Sequence, residues 1–202
     1  MRIALIGASG AVGSRILAEL ARRGHAVTAI ARHPERIPAA PGATPVGADL
    51  FDTEALAATL KGHDAVVSSV MFLDSDPEAL IAAVKAAGAP RYLVVGGAGS
   101  LNVAPGVRLL DASDFPAAYK DEATAGAAFI DRLKAEPDLD WTFLSPSAEF
   151  GPGERTGVFR LGGDDLLTTA SGSSISYEDF AVALADELER PAHSRARFTV
   201  GY

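Results

Sequence analysis

The chain has 202 residues, with 18 lysines and arginines against 26 aspartates and glutamates, which gives a formal net charge of −8. This acidic balance argues against a nucleic-acid or anionic-membrane binder, because affinity for phosphates depends on clustered lysine and arginine. The absence of cysteine excludes disulfides, thiolate zinc sites and cysteine nucleophiles. A hydrophobic content of 48% is typical of a globular domain, and no apolar run reaches the roughly 20 residues of a membrane span. We therefore expect a single-domain cytoplasmic protein.

Short apolar runs alternate with helical patterns over most of the chain, as in the βαβ units of a parallel sheet. The pattern predicts strands at 2–6, 26–31, 43–47, 65–69, 92–95 and 141–144. Helices are predicted between these strands, with start and stop signals at Gly24, Asp52, Gly62, Asp76 and Gly88 and a fourth helix within 117–134. The predicted fold class is α/β, a Rossmann-type doubly wound parallel sheet with helices on both faces.

The pattern changes after residue 145, where glycine and polar residues become frequent. Residues 146–175 are expected to form a small substrate-side lobe, with short strands at 158–159 and 166–169. Ser176 and Asp179 form an S-x-x-D helix start, which predicts a last helix, and residues 197–200 suit a final strand. Residues 1–145 would then form a dinucleotide-binding core, to which residues 176–202 return.

A glycine motif, GASGAVG, follows the first strand directly and opens the first helix. Its glycines suit a sharp turn, a close approach of a diphosphate and tight packing of the helix on the strand. Free N–H groups and the helix dipole would bind the diphosphate, and the strand–motif–helix order is the context that a dinucleotide site requires. A tight turn without a ligand is the alternative. The predicted cofactor contacts are Gly7, Ser9, Gly10, Ala11, Val12 and Gly13.

The residue after the second strand indicates which dinucleotide binds. NAD sites usually place an acid there to bind the ribose 2′-hydroxyl, whereas this chain has Arg32. A guanidinium attracts the 2′-phosphate of NADP(H), so NADP(H) is predicted to be preferred over NAD(H). The alternative is that Arg32 simply extends into solvent.

Further cofactor contacts are predicted where later strands end. Asp49 is placed to accept a hydrogen bond from the adenine amino group, with Leu50 against the ring, although Asp49 also suits a simple loop turn. Residues near the reversal of strand order contact ligands in doubly wound sheets. The remaining predicted contacts are Ser68, Ser69, Val70, Gly96, Gly97 and Pro146.

The chain resembles the atypical short-chain dehydrogenase/reductases, and more narrowly the NmrA-like group of NAD(P)H-binding proteins often named NADH-flavin reductases. The resemblance is nearly full length and, beyond the glycine motif, includes ARHPE at 31–35, GAD at 47–49, VVGGAGSL at 94–101, WTFLSP at 141–146 and ISYEDFA at 175–181. It implies a Rossmann fold that binds a nicotinamide dinucleotide. Related members reduce flavins, biliverdin or quinone-like acceptors, and others are non-catalytic redox sensors.

The chain lacks the Tyr-x-x-x-Lys pair with which the main branch of that superfamily exchanges a proton with its substrate. Tyr119 and Lys120 are adjacent, and neighbouring helix positions point about 100° apart. Alcohol dehydrogenation is therefore not expected. A conjugated acceptor spreads the incoming charge and needs mainly hydride positioning, which favours a flavin-, quinone- or tetrapyrrole-like substrate.

Candidate catalytic side chains follow the fifth and sixth strands. Ser100 is predicted to donate a hydrogen bond to the acceptor, with Ser145 or Ser147 as further candidates, and the alternative for Ser100 is a loop cap. Aromatic residues that could stack on the acceptor, or else pack in the core, are Phe72, Phe115, Tyr119 and Phe150. The catalytic candidates are Ser100, Ser147 and Tyr119. The four histidines follow no ligand spacing, so no metal site is expected.

Two functions fit these patterns. The first is an NADPH-dependent oxidoreductase that transfers a hydride to a small conjugated acceptor. The alternative is a non-catalytic module that reports the NADPH/NADP ratio to a partner. The long loop from Gly96 to Pro116 favours the enzyme, because it could cover a pocket. We expect no nucleic acid or membrane partner, and a monomer or homodimer.

Overall fold

The first βαβ unit forms where the sequence pattern predicts it. In the computed structural model, which describes residues 1–202, β1 spans Arg2–Ile6, α1 spans Ala11–Arg22 and β2 spans Ala26–Ala31. Successive side chains of a strand point to opposite faces. Accordingly, Ile3 and Leu5 pack in one core cluster, whereas the alternate residues of β1 pack in the other. The sheet is therefore covered on both faces, as a parallel sheet requires.

The remaining elements continue the alternation to residue 146 and then return to the sheet. The strands are β3 Ala43–Gly47, β4 Ala65–Ser68, β5 Tyr92–Val95, β6 Asn102–Ala104, β7 Val107–Arg108, β8 Trp141–Pro146, β9 Glu149–Gly151, β10 Arg160–Gly162, β11 Ser174–Ser176 and β12 Ala196–Gly201. The helices are α2 Thr53–Leu60, α3 Pro77–Ala86, α4 Lys120–Lys134 and α5 Tyr177–Glu189. Short 3₁₀ turns occupy Pro34–Arg36, Phe72–Asp74, Leu109–Asp111 and Ala117–Tyr119.

The central sheet has eight strands in the order β10-β12-β8-β5-β4-β1-β2-β3. All neighbouring pairs are parallel except β10 with β12. After β1, the chain adds β2 and β3 on one side of the sheet and then adds β4, β5, β8 and β12 on the other. The carboxyl ends of β1 and β4 therefore flank the point at which the strand order reverses, and ligands of doubly wound sheets bind there.

Two helical layers cover the sheet. The apolar faces of α1 and α5 contribute to one core cluster, and those of α2, α3 and α4 contribute to the other. Tyr92, Phe143 and Phe198 are fully buried on the sheet itself. The predicted α/β doubly wound fold is confirmed.

Some predicted elements differ in the structure, mainly beyond residue 146. Residues 158–159 form no strand: pairing with β12 begins at Arg160, and Val158 is exposed. Residues 166–169 form no strand either: Leu166 donates to the carbonyl oxygen of Asn102 and Thr169 forms an isolated bridge with Gly172, but there is no continuous pairing. The segment 146–175 is only partly a lobe, since β9 pairs with β11 in a small sheet while β10 extends the central one.

None of the five helices combines the length and the apolar character that a membrane crossing requires.

Candidate active site

A cavity of about 670 Å³ lies at the carboxyl ends of the parallel strands. Its wall is built from the segments 10–12, 69–72, 95–100, 114–116 and 146–150, together with one side of α4 and Tyr177. Most of these segments follow β1, β4, β5 and β8, which are neighbours in the sheet around the reversal of strand order between β1 and β4, whereas 114–116 follows β7. The cavity therefore occupies the position at which this type of fold binds ligands.

The N-terminus of α1 meets this cavity without a side-chain cap. The side chains of Asp52, Asp76 and Ser176 accept backbone N–H groups at the starts of α2, α3 and α5. In contrast, α1 starts at Gly10, which has no capping side chain, and its first turn contains no acidic residue. The first N–H groups of a helix have no acceptor within the helix. Those of Ala11 and Val12 lie at the cavity wall and are available to an anion.

The three glycines of the motif have different roles. A Cβ on Gly7, whose φ is +85°, would lie 2.0 Å from the carbonyl oxygen of Ser69, and a Cβ on Gly13 would lie 2.0 Å from that of Gly7. These two glycines allow β1, β4 and α1 to approach closely. Gly10 differs, because the nearest atom to its Cβ would be the Gly7 oxygen at 3.3 Å, and it lines the cavity. A Cβ at Gly10 would therefore be tightly placed, and the bare backbone of Gly10 at the cavity wall fits the close approach of a diphosphate.

Replacing these glycines with alanine should separate cofactor binding from folding. Gly10→Ala adds a methyl group to the cavity wall, 3.3 Å from the Gly7 oxygen, so we expect about tenfold weaker NADPH binding and a loss of stability of only about 1 kcal/mol. Gly13→Ala forces β1 and α1 apart and should cost about 1–3 kcal/mol of stability. Calorimetric titration with NADPH and thermal unfolding of the free proteins measure the two effects. Unchanged NADPH affinity in Gly10→Ala would contradict this role.

The residues predicted to bind the adenosine end lie outside the cavity wall. Arg32 is exposed where β2 ends, and the nearby acid Glu35 pairs with His33 instead (Nδ1–Oε1 3.3 Å). Asp49 accepts the N–H of Phe51 at 3.0 Å. One of its carboxylate oxygens therefore caps a loop turn, which is the alternative to the adenine contact that was predicted for Asp49. Leu50 is half-buried against the core.

The structure brings together most of the other predicted site residues. Those that line the cavity are Gly10, Ala11, Val12, Ser69, Val70, Gly96, Gly97, Ser100, Tyr119, Pro146 and Ser147. Ser68 does not line it: its buried hydroxyl shares a hydrogen bond with that of Tyr92 at 2.9 Å. Gly7, Ser9 and Gly13 also lie outside the wall, and Ser9 is exposed.

Ser100 lies between the cavity and a buried guanidinium. Arg197 of β12, whose side chain is 4% exposed, donates from Nη1 to the Ser100 Oγ at 2.8 Å and to the Ser100 carbonyl oxygen at 3.0 Å. Its Nε donates to Oδ1 of Asp164 at 2.7 Å. The Ser100 oxygen therefore accepts from a cation, which leaves its own O–H free to donate into the cavity.

The hydroxyls after β8 are arranged differently. Ser147 lines the cavity, but it is fully buried and its hydroxyl donates to the carbonyl oxygen of Val200 at 3.1 Å. Ser145 is fully buried outside the wall, and its hydroxyl has no hydrogen-bond partner. Of the candidate serines, Ser100 has the geometry of a donor to a ligand.

The aromatic candidates divide into two groups. Phe72 is half-buried in the cavity wall and also packs against the core: its ring stacks on Phe143 with centroids 6.1 Å apart and lies against Gly126, where a Cβ would be 2.8 Å from the ring. Phe115 and Phe150 are half-buried in the cavity wall, and Tyr119 lies there with 66% of its surface exposed. All four could contact an acceptor, and Phe72 in addition holds α4 against the sheet.

Two residues that shape the site, Glu122 and Arg197, were not predicted from the sequence. Glu122 of α4 accepts the N–H groups of Phe72 and Leu73 at 2.7 and 3.0 Å and so fixes the segment after β4. Arg197 is the other important one. Neither has a local signal, because each acts on a segment that is about 50 or more residues away along the chain.

The fold and the cavity together define an oxidoreductase-like Rossmann protein with a site for a nicotinamide dinucleotide. Residues 7–191 match the NAD(P)H-binding family, and the chain belongs to that family. It is 42% identical to YwnB of Bacillus subtilis (strain 168) over 99% of this chain and 98% of that protein. It is 32% identical to a 3-diazoavenalumate denitrifying reductase of Streptomyces sp., over 84% of this chain and 62% of that reductase.

Solved structures with similar sequences share the whole fold. A protein of Bacteroides thetaiotaomicron described as an epimerase has a TM-score of 0.94 at 43% identity, covering 100% of this chain and 96% of that one. A protein of Burkholderia pseudomallei described as exported has a TM-score of 0.91 at 45% identity, covering both chains fully. A protein of Streptococcus pneumoniae TIGR4 described as an NADH-flavin reductase has a TM-score of 0.86 at 37% identity, covering 100% of this chain and 99% of that one.

These comparisons confirm the resemblance to the NAD(P)H-binding reductase group. They do not extend to the NmrA-like subdivision, which stays a prediction. The cytoplasmic location stays a prediction too, because one similar protein is described as exported.

Proposed function

We propose that this protein is an NADPH-dependent reductase that transfers a hydride to a small conjugated acceptor without a Tyr-Lys pair. One observation carries the proposal: a single cavity joins the uncapped N-terminus of α1 to a wall that contains Ser100 and the aromatic side chains of Phe115 and Tyr119. Its volume of about 670 Å³ lies within the range of roughly 300–1,000 Å³ that is typical of ligand sites. The names of two relatives, an NADH-flavin reductase and a 3-diazoavenalumate denitrifying reductase, also support a reductase.

Each part of the cavity has a task in this reaction. A bound dihydronicotinamide would supply the hydride. The N–H groups at the start of α1 would hold the diphosphate, and the open backbone at Gly97 lets a flat ring approach the end of β5, since nothing lies within 3.9 Å of its Cβ position. Phe115 and Tyr119 would cover the acceptor and exclude water. The Ser100 hydroxyl would donate to the atom on which negative charge develops.

A turnover screen tests the proposal. NADPH consumption is followed at 340 nm with riboflavin, FMN, a quinone and a linear tetrapyrrole, each against a protein-free control. We expect at least one acceptor to be reduced faster than in buffer. NADPH binding without turnover of any acceptor would contradict the reductase and favour a regulatory module that senses NADP(H).

Replacing Arg32 tests the cofactor preference that we propose. Arg32 is exposed where β2 ends, and its charge would attract the 2′-phosphate. Arg32→Gln removes one charged hydrogen bond, so the dissociation constant of NADPH should rise about tenfold, whereas that of NADH should change less than about twofold. Both constants are measured by calorimetric titration.

Arg36→Gln is the matched control, because Arg36 is also exposed and lies four residues further along the same loop. It should leave the ratio of the two constants close to that of the unaltered protein. Equal losses of NADPH and NADH affinity in Arg32→Gln would exclude recognition of the 2′-phosphate by Arg32.

A further inference from the structure

All charged side chains in the cavity wall are acidic. The wall has 28 residues, and its charged members are Asp114, Glu122 and Glu149, with no lysine, arginine or histidine among them. Proteins recognise phosphate, carboxylate and sulfonate groups with arginine and lysine. The acceptor part of the cavity therefore has no side chain that would bind an anionic group.

Two of these carboxylates are not engaged by protein groups. Glu122 accepts the N–H groups of Phe72 and Leu73, one with each carboxylate oxygen. Asp114 and Glu149 are exposed at the cavity, and their carboxylates form no hydrogen bond or ion pair in the structure. They lie on two different segments, Asp114 in the loop after β7 and Glu149 at the start of β9, so two separate parts of the chain bring negative charge to the cavity wall.

Two cations whose contacts reach residues of the cavity wall, Lys120 and Arg197, are bound to other groups. Lys120 directs its ammonium to the carbonyl oxygen of Leu110 and lies 5.7 Å from the centre of the Phe115 ring. Arg197 is buried behind Ser100 and bonded to the carboxylate of Asp164. Both are held outside the wall by these contacts.

We propose that the site selects conjugated acceptors that carry no anionic group, and that a positive charge on the acceptor improves it as a substrate. A cleft lined by one sign of charge attracts the opposite sign and repels its own. The exposed ring of Tyr119 in the cavity wall favours a cation further. This inference rests on the proposed reductase function and narrows its substrate class: phosphorylated flavins and carboxylated tetrapyrroles are disfavoured relative to neutral or cationic rings.

The proposed preference agrees with the change in the charge of the acceptor during the reaction. The acceptor gains two electrons and one hydrogen as a hydride from the dihydronicotinamide, which is oxidised. A proton from water then completes its reduction, either directly or through the Ser100 hydroxyl, which regains a proton from water. A cationic acceptor becomes neutral on hydride transfer, so it needs no anion-binding group in the cavity.

The test compares three 2-alkyl-1,4-naphthoquinones whose side chains end in trimethylammonium, hydroxyl or sulfonate. We expect kcat/KM to decrease in that order, with about tenfold or more between the first and the last at low salt. About 0.5 M NaCl should compress this ratio severalfold, because salt screens charges near the surface. Dissociation constants of the three quinones for the NADP⁺-loaded protein, measured by calorimetry, should follow the same order and need no turnover.

Variants of Asp114 and Glu149 test whether these two carboxylates cause the preference for cationic acceptors. The double variant Asp114→Asn/Glu149→Gln should reduce the ratio between the cationic and the anionic quinone at least threefold, and each single variant should act partially. Asp138→Asn is a matched control: Asp138 is 74% exposed and precedes β8, whereas the cavity lies where β8 ends. Equal binding and equal kcat/KM for the three quinones would overturn the inference. The inference would also be overturned if the double variant kept the same ratio of kcat/KM between the cationic and the anionic quinone.

The outcomes separate this inference from the reductase proposal. If no quinone is reduced but the binding constants follow the charge order, the reductase proposal fails while the charge selection stands. If all three are reduced equally well, the reductase stands and the charge selection fails. A uniform decrease in kcat for all three in the double variant would show that the carboxylates act on the nicotinamide, and this would also overturn the inference.

Discussion

Replacing Glu19 with glutamine should lower the free energy of unfolding by about 2–3 kcal/mol at neutral pH. Glu19 is 4% exposed on α1 and accepts hydrogen bonds from Arg22, Arg23 and Arg155, at distances of 2.7–3.0 Å. Breaking a buried ion pair by removing one partner costs about 3–5 kcal/mol. The expected loss is smaller, because Arg22 and Arg155 are 54% and 40% exposed and can turn to water.

The Glu19 cluster connects three parts of the molecule. Arg23 continues from Glu19 to Asp186 and Glu189 of α5, each at 2.8 Å. Arg155 reaches Glu19 from the loop between β9 and β10. The variant should therefore also loosen that loop, which limited proteolysis or hydrogen exchange at residues 152–158 would detect.

The stability that Glu19 provides should depend on pH. Burial alone would raise the pKa of Glu19, but the hydrogen bonds from Arg155, Arg22 and Arg23 outweigh it and hold the pKa well below its usual value. A lowered folded-state pKa gives stability that is complete above the unfolded value, about 4.3, and is lost as the pH falls toward the folded value. The difference in stability between the unaltered protein and Glu19→Gln should therefore shrink below about pH 4.5. Urea unfolding across pH 3–7 measures it.

Asp111→Asn serves as the control for Glu19→Gln. Asp111 also pairs with an arginine, Arg108, at 2.8 Å, but both side chains are more than 40% exposed. Exposed pairs contribute little to stability, so the urea midpoint should hardly change. If the two variants behaved alike, the burial of Glu19 would not be the reason for its effect.

The parts of the fold that local signals determine were predicted correctly. The caps at Asp52, Asp76 and Ser176 form as their spacing indicates, because each side chain accepts a backbone N–H from two or three residues further along the chain. The parallel strands were also found, since burial on both faces requires continuous apolar runs. Similarly, the motif around Gly10 could be placed at the ligand site, because its strand–motif–helix order is a local signal, although the contact of Gly7 with Ser69 after β4 is not.

The parts that depend on distant contacts could not be predicted. Strands β9, β10 and β11 have three residues each, and whether such a segment is a strand depends on its partner. The burial of Glu19 depends on Arg155, 136 residues away. Ser100 could be proposed from its position after β5, but its contact with Arg197 could not.

Replacing Ser100 with alanine should lower kcat about 10- to 100-fold with little change in KM. The Ser100 Oγ accepts from the guanidinium of Arg197 at 2.8 Å, so its O–H is free to donate to a ligand in the cavity and should be a stronger donor than that of an isolated serine. A donor that acts on charge developing in the transition state changes kcat rather than KM. Steady-state kinetics with NADPH and the best acceptor of the turnover screen measure both constants.

Two further variants separate this role from a structural one. Ser147→Ala removes a hydroxyl that also lines the cavity but donates to Val200, so kcat should stay within about twofold. Arg197→Lys keeps a charge, but a single ammonium cannot hold Ser100 and Asp164 in the same geometry, so kcat should fall to an intermediate level. If Arg197 acts through Ser100, the double variant Ser100→Ala/Arg197→Lys should have the same kcat as Ser100→Ala alone.

The solvent isotope effect on kcat, measured in H₂O and D₂O, distinguishes proton donation by Ser100 from a loss of packing, which would not change it. If the Ser100 proton moves as the acceptor is reduced, kcat in H₂O should exceed kcat in D₂O, and this difference should decrease in Ser100→Ala, where solvent must supply the proton in a separate step. An unchanged isotope effect together with an unchanged kcat would show that the Ser100 hydroxyl only caps its loop. The acceptor would then depend on water alone for its proton, and Arg197 would serve only to join β12 to the loop after β5.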